Sequence, residues 1–393
     1  MSGRLRRRFT IADREASEYH HLPFDVPPGT DVLSLELAYE DTGAIVDLGL
    51  IGPNRFRGWS GSERRRVDVT PRWATPGYLP GEIEPGEWNV ILGLYVVPEE
   101  GVDVEVDWWP DRPAGPPAAV MPPRPERPPS RSLPSEEGRA WLACDFHAHS
   151  VHSDGELEIA ELACLAAERG LDVLAVTDHN STSHHPHLAG AASHAGITLL
   201  PGQEVTNADG HANCLGDTGW IDFRQPPERW LATANENGGL LSINHPLAGH
   251  CAWRKPDLPG VDLIEAWHWT WDRKAMEPID WWAERDATPI GGSDFHRMSD
   301  TAHPGAPTTW VEARDHDVLA ALAEGRVAIS ADPRGPVVLR HEDELTVVDG
   351  EGCRLVGAEG DSLLVSSNRQ TTPYRHGPYL LTTPDGVVLA LTP

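Results

Sequence analysis

Ten prolines fall within residues 110–138, "PDRPAGPPAAVMPPRPERPPSRSLPSEEG". Such a run favours extended, semi-rigid backbone and carries too little apolar surface for a core. The 393-residue chain is therefore cut into segments that must each bury their own apolar residues. Before the cut, runs such as "DVLSLELAYE", "AIVDLGLIG", "NVILGLYVV" and "VDVEVDWW" are separated by the turn signals "PPGT", "EPGE" and "PEEG". This pattern predicts an all-β sandwich over residues 1–109. Trp59, Trp73 and Trp88 are expected to fill its core or an interface rather than to bind a ligand. After the cut, strand-like runs alternate with amphipathic stretches such as "ELEIAELACLAAERG". That rhythm predicts an α/β domain over residues 139–334, its parallel strands open or closed into a barrel. Residues 335–393 return to strand-and-turn texture and are expected to form a small C-terminal β appendage.

Charge narrows the partners. With 60 acidic against 32 basic residues the formal net charge is −28. Such a surface repels nucleic acid and acidic membranes. No apolar run approaches a membrane span, and Asp13, Arg14 and Glu15 interrupt any signal-like start. Five cysteines without CxxC spacing argue for reduced, buried thiols rather than a disulfide framework. These readings lead to the expectation of a cytoplasmic chain with a small-molecule partner; oligomeric state is not legible.

The decisive pattern lies where the apolar runs stop. "LACDFHAH" ends in His147 and His149, and "LAVTDH" in Asp178 and His179. "LLPGQE" ends in Glu204, "LLSINH" in His245, and "IGGSDFH" in Asp294 and His296. A single histidine at a strand end is ordinarily a satisfied polar residue, and most of the 19 histidines receive no role here. Five strand ends agreeing is different. In an α/β barrel the carboxyl ends of the strands share one face, and sites are built there. Residues i and i+2 of a strand point to the same side, so His147 pairs with His149 and Asp294 with His296. Such pairs could chelate from opposite sides of a barrel. Mixed imidazole and carboxylate donors suit Zn, Mn or Fe.

In order along the chain, "DFHAHSVHSDG", "VTDHN", "GQEVT" with "GHANCLG", "INHP" and "GGSDFH" resemble the PHP (polymerase and histidinol phosphatase) superfamily of metallohydrolases. The resemblance covers roughly residues 143–331. It implies a distorted (β/α)7, TIM-like barrel with two or three divalent ions. It further implies a first ion at His147, His149, Glu204 and Asp294. Glu204 would bridge to a second ion at His211 and His245. A third would sit at Asp154, His179 and His296. His152 and His184 are possible substitutes among these ligands. The order of sandwich and barrel, with "RVAISADPRGP", is similar more loosely to the carbaryl-hydrolase-like CehA/McbA branch.

The chemistry implied is hydrolysis by water activated on the ions, first of a small phosphate ester. Carboxylic or carbamate esters are the alternative, and a binding protein with a vestigial barrel is a reading from another class. No G-x-S-x-G elbow is present. Asp145 and Asp178 adjoin ligand histidines and are candidates to hydrogen-bond their imidazoles, although Asp178 equally suits a capping role. Arg254, Lys255, Arg273 and Arg297 are candidates to bind an anionic group. His268 is a candidate proton donor, or an ordinary rim residue. The tryptophans of "WHWTW" (267–271) could wall an apolar pocket or simply pack.

Overall fold

The structure, a computed structural model, describes residues 2–40, 42–110, 115, 120–255, 258–358 and 360–393. Residues 111–114 and 116–119 of the expected linker lie outside the described residues. The chain divides into two compact units. The first is residues 1–121 together with two short segments, 151–154 and 179–186; the second is the remainder.

The N-terminal unit is built from β1 (Gly3–Phe9), α1 (Ile11–Ala16), β2 (Tyr19–Val26), β3 (Leu33–Tyr39), β4 (Ile45–Ile51), β5 (Phe56–Trp59), β6 (Arg66–Val69), β7 (Gly86–Val96) and β8 (Val102–Trp109). They form two four-stranded sheets, ordered β1-β8-β3-β6 and β2-β7-β4-β5. Every ladder is antiparallel. Alternation explains the layering: in β8, Val102, Val104, Val106 and Trp108 are buried while Asp103 is exposed. Trp88 is fully buried in the core with Phe9, Phe24 and Leu35, and Trp59 is buried too.

The C-terminal unit starts with β9 (Arg139–Asp145), α2 (Ile159–Arg169), β10 (Val173–Val176), α3 (His185–Ala195), β11 (Thr198–Asn207) and β12 (Gly210–Leu215). It continues with α4 (Pro227–Glu236), β13 (Leu240–Ile243), β14 (Leu263–His268), α5 (Glu277–Ala283), β15 (Thr288–Gly292), β16 (Thr308–Arg314), α6 (Val318–Ala323) and β17 (Val327–Ser330). The rest is β18 (Val337–His341), β19 (Glu344–Val348), β20 (Arg354–Gly357), β21 (Ser362–Leu364), β22 (Arg369–Pro373), β23 (Tyr379–Thr382) and β24 (Val388–Thr392).

One mixed sheet of 13 strands runs β15-β14-β13-β12-β11-β10-β9-β16-β17-β24-β23-β20-β21. Parallel ladders join β9, β10 and β11, and again β13, β14 and β15. Between them β12 is antiparallel to both neighbours, so the β-then-α rhythm is broken by a hairpin. The C-terminal strands do not stand apart, because β24 pairs with β17 and extends the same sheet. A separate three-stranded sheet, β18-β19-β22, completes the unit. Helix α2 starts at a reciprocal cap between Glu158 and Glu161 and stops at Gly170, whose φ of 95° suits a residue without Cβ. Its Ile159, Leu162, Ala163, Ala166 and Ala167 face the sheet.

Candidate metal centre

Beyond the last ladder bond of β9 the chain makes an isolated parallel bridge, Ala148 with Phe295. The His149 N–H donates to the Phe295 carbonyl at 2.9 Å. Because neighbours i−1 and i+1 of a bridged residue share a face, this single bridge sets His147 and His149 beside Asp294 and His296. The two pairs are thus neighbours across one bridge, not partners facing each other from opposite walls.

Six described histidines and three carboxylates of the C-terminal unit converge here. His147 Nε2 lies 3.0 Å from Asp294 Oδ1 and 3.2 Å from Glu204 Oε1. His149 Nε2 lies 3.0 Å from Asp294 Oδ1 and 3.4 Å from Glu204 Oε2. His147, His149, Glu204 and Asp294 form one group with metal-ligand spacing, and His147, His245 and Glu265 form another. His245 Nε2 lies 3.4 Å from Glu204 Oε1, and His211 Nδ1 lies 3.2 Å from the same oxygen. His211 sits on β12 and not in a loop. The β11–β12 register pairs Glu204 with Asn213, which turns His211 to the face of Glu204. The ring of His296 stacks on His149 with centroids 4.1 Å apart.

Asp154 and His179 lie in the two short segments that belong to the N-terminal unit, where His179 Nε2 is 3.9 Å from Asp154 Oδ2.

The donor set fits a divalent cation. His147 Nδ1 is 3.0 Å from Glu265 Oε1, so its N–H is directed at that carboxylate. Nε2 then presents a lone pair to two more carboxylates, and it is buried without a hydrogen bond. Buried acceptors facing one another are unfavourable until a positive charge sits between them. Without an ion a proton must serve. Burial alone would lower the basicity of His147, but the charges of Asp294, Glu204 and Glu265 outweigh it and hold the imidazole well above its ordinary value. Burial likewise opposes ionisation of Asp294, yet His147, with hydrogen bonds from His149 and His268, keeps it well below the usual carboxylate range.

Glu265 was not singled out in the sequence. Its oxygens bind His147 Nδ1 and the His245 N–H, the latter at 2.6 Å. It was hidden in the run "VDLIEAWH", whose signal is a lone carboxylate in the middle of a strand buried at every position. Asn244 was also missed; its amide donates to Glu204 Oε1 at 2.9 Å. Gly292 is required by this packing, since a Cβ there would lie 2.0 Å from Glu265 Oε1 and 2.7 Å from His147 Cβ. His245 and Asp294 hold left-handed φ values of 26° and 47°, an unfavourable state for side-chain-bearing residues that is concentrated at functional positions.

Asp145 corrects an expectation. Its carboxylate accepts from the backbone N–H groups of His147, Ser293 and Gly305 at 3.2, 3.1 and 2.8 Å. It ties strand ends together and does not orient an imidazole. Burial pushes it up to about 6 against the pull of those bonds. Asp178 accepts from the Ser150 N–H and hydroxyl at 2.8 and 2.7 Å.

Among the other candidates, His268 Nε2 lies 3.3 Å from Asp294 Oδ2, and its Nδ1 is 2.7 Å from Thr270 Oγ1. Arg273 lines a cavity of about 370 Å³ with Trp267, Trp269, Trp271 and Arg169. Arg297 is exposed beside His296. Lys255 pairs with Glu228 at 3.1 Å. The five cysteines are free thiols, and burial pushes Cys214 up to about 11.

Residues 145–266 match the PHP domain. An uncharacterised protein of Methanocaldococcus jannaschii is 24% identical over 143 residues, which is 32% of this chain and 84% of that protein. A 3′,5′-nucleoside bisphosphate phosphatase of Chromobacterium violaceum is 44% identical over 62 residues, 16% of this chain and 22% of the phosphatase. The chain therefore spans under a quarter of that relative's length. A solved two-domain Bacteroides vulgatus protein, containing a predicted PHP-like metal-dependent phosphoesterase, aligns with a TM-score of 0.45 at 21% identity. That alignment covers 68% of this chain and 99% of the other. Over residues 145–266 the chain is thus similar to the PHP domain.

No described helix is long and apolar enough to cross a membrane.

Proposed function

We propose that the chain is a phosphoesterase acting on a small phosphate ester. One observation carries this reading: the unbonded, buried Nε2 of His147 faces Glu204 and Asp294 within 3.2 Å. Residues His147, His149, Glu204 and Asp294 would hold one ion, and His211 and His245 with Glu204 a second, with Glu265 beside them. Asp154, His179 and His296 are the proposed ligands of a third. The Ala148–Phe295 bridge between the ends of the first and seventh strands supports reading the domain as a (β/α)7 barrel. When bound, divalent ions of the Zn, Mn or Fe kind acidify water to a pKa of about 7 and offset charge on phosphoryl oxygens.

The protein groups supply the rest. Glu265 fixes the tautomer and angle of His147. Asn244 restrains Glu204. His268, hydrogen-bonded to Thr270, stands against Asp294 and is the proposed proton donor to the leaving oxygen. No cysteine is suited to act as a nucleophile, since burial raises the thiols of Cys144, Cys214 and Cys251. Similarity to a bisphosphate phosphatase supports phosphate over other esters. Hydrolysis of a carboxylic or carbamate ester is the second reading. The cavity walled by Trp267, Trp269 and Trp271 favours it, because those faces suit an apolar acyl or aryl group.

The test is a parallel assay of the full chain on p-nitrophenyl phosphate, bis-p-nitrophenyl phosphate, p-nitrophenyl acetate and a naphthyl carbamate, with Zn, Mn and Fe quantified. Metal content with turnover of the phosphate esters is expected. Turnover of the acetate or carbamate alone would overturn the phosphoesterase reading, and an ion-free, inactive chain would overturn both.

A further inference from the structure

Two segments of the chain, 151–154 and 179–186, leave the α/β unit and pack as part of the N-terminal one. They carry Asp154 and His179. Their attachment is polar and specific. The Arg64 guanidinium donates from Nη1 to the Ser153 carbonyl at 2.8 Å and from Nη2 to the Val151 carbonyl. Two charge-assisted bonds from one rigid fork fix both ends of the turn that precedes Asp154. On the other segment, the Gly77 N–H donates to Ser183 Oγ at 3.0 Å, and Ser181 Oγ donates back to the Gly77 carbonyl at 3.0 Å. Ser183 Oγ also pairs with His152 Nδ1 at 2.7 Å, which links the two segments directly. His152, Ser153, Ser181 and Ser183 are all buried. Residue 77 must be glycine: its φ is 95°, and a Cβ would lie 2.8 Å from the Trp59 carbonyl oxygen and 3.1 Å from that of His152.

The sandwich core is apolar, whereas this network is polar. It is a clamp on two loops, and each loop delivers one ligand-type side chain. We propose that Arg64, Gly77 and Ser183 are positioning residues for Asp154 and His179, and through them for the retention of an ion. The inference rests on the metal-dependent reading above. It assigns these residues a role in retaining one particular ion, separate from the ion at His147, His149, Glu204 and Asp294. It also accounts for His152, which serves as the tie between the loops.

The test uses the full chain stripped with chelator and titrated with Mn²⁺ by calorimetry, with bound metal counted by mass spectrometry. Arg64→Ala is expected to weaken one class of site at least tenfold, to the level of His179→Ala, and to leave the remaining class unchanged. Arg64→Lys, which keeps the charge without the fork, is expected to fall between. Ser183→Ala should weaken the same class by a smaller factor. Selective loss of one class is what a merely structural role would not give. If Arg64→Ala unfolds, as read by near-ultraviolet circular dichroism, Ser183→Ala decides. Wild-type binding in Ser183→Ala and in any folded Arg64 variant, while His179→Ala loses an ion, would overturn the clamp. A wild-type chain that takes up no ion would instead overturn the metal reading itself.

Discussion

Arg57 and His147 are both buried polar residues, and they are buried in opposite ways. Arg57, in the N-terminal unit, is fully enclosed, yet its nitrogens reach the carbonyls of Leu79, Gly81 and Glu82 at 2.9–3.2 Å and the Glu84 carboxylate at 3.3 Å. Its guanidinium also lies 5.0 Å from the Trp88 ring. Burial brings it down to about 10, so it stays charged at neutral pH. His147 is equally enclosed, but its Nε2 ends in a group of carboxylates without a hydrogen bond. The first residue is complete by itself and serves stability. The second leaves a buried nitrogen among carboxylates, which a cation would complete. Completeness of hydrogen bonding, more than burial or charge, separates a structural polar residue from a binding one.

The contrast can be broken most severely at the open end. His147→Ala and Asp294→Ala should each lose bound metal and reduce kcat by about 10³-fold, the rate equivalent of the several kcal/mol an ion contributes. Retention of full metal content in either would dissolve the assignment. Gly292→Ala should act almost as strongly without touching a ligand, because its Cβ would displace Glu265 and His147; metal analysis beside kcat separates this from global unfolding. Glu265→Gln keeps the shape and removes the charge behind His147. A 10–100-fold loss of metal affinity is expected, measured by competition with a chelating dye.

At the closed end, Arg57→Met leaves the Gly81 and Glu82 carbonyls without their donor. It should cost about 2–4 kcal/mol of stability in denaturant unfolding and leave the metal content of the folded protein unaltered. The smallest effect concerns Asp47, whose carboxyl burial raises from 3.8 to about 7, with Glu18 adding and His179 opposing. A raised carboxyl favours the protonated folded state. Its contribution is therefore present below pH 4 and lost as pH rises towards 7. Asp47→Asn should flatten the stability profile across that window, with a small gain near neutrality. An unchanged profile would show that Asp47 titrates normally.

Much of the centre could be read locally. Apolar runs ending in His147, His149, Glu204, His245, Asp294 and His296 are a one-dimensional pattern, because strand period and strand polarity translate directly into shared faces. The alternation in the first 109 residues predicted antiparallel strands for the same reason. What stayed hidden required contacts between distant positions. Glu265 looks like one polar residue in a buried strand until His147, 118 residues away, is placed against it. Asp145 stands next to ligand residues in sequence but turns to backbone amides, because Gly305 and Ser293 come to it from 148 residues or more along the chain. The hairpin strand β12 and the annexed strand β24 follow from ladder partners that no local period encodes.

By itself, then, the sequence determined the donor types, their order and the strand ends that present them, since these depend only on neighbours one or two residues apart. Tertiary structure alone decided which donors come together, which carboxylate stands behind His147, and that residues 151–154 and 179–186 belong with the N-terminal sheets. Each of those is a matter of which buried polar atom finds a partner, and partners separated by more than a hundred residues are chosen by packing.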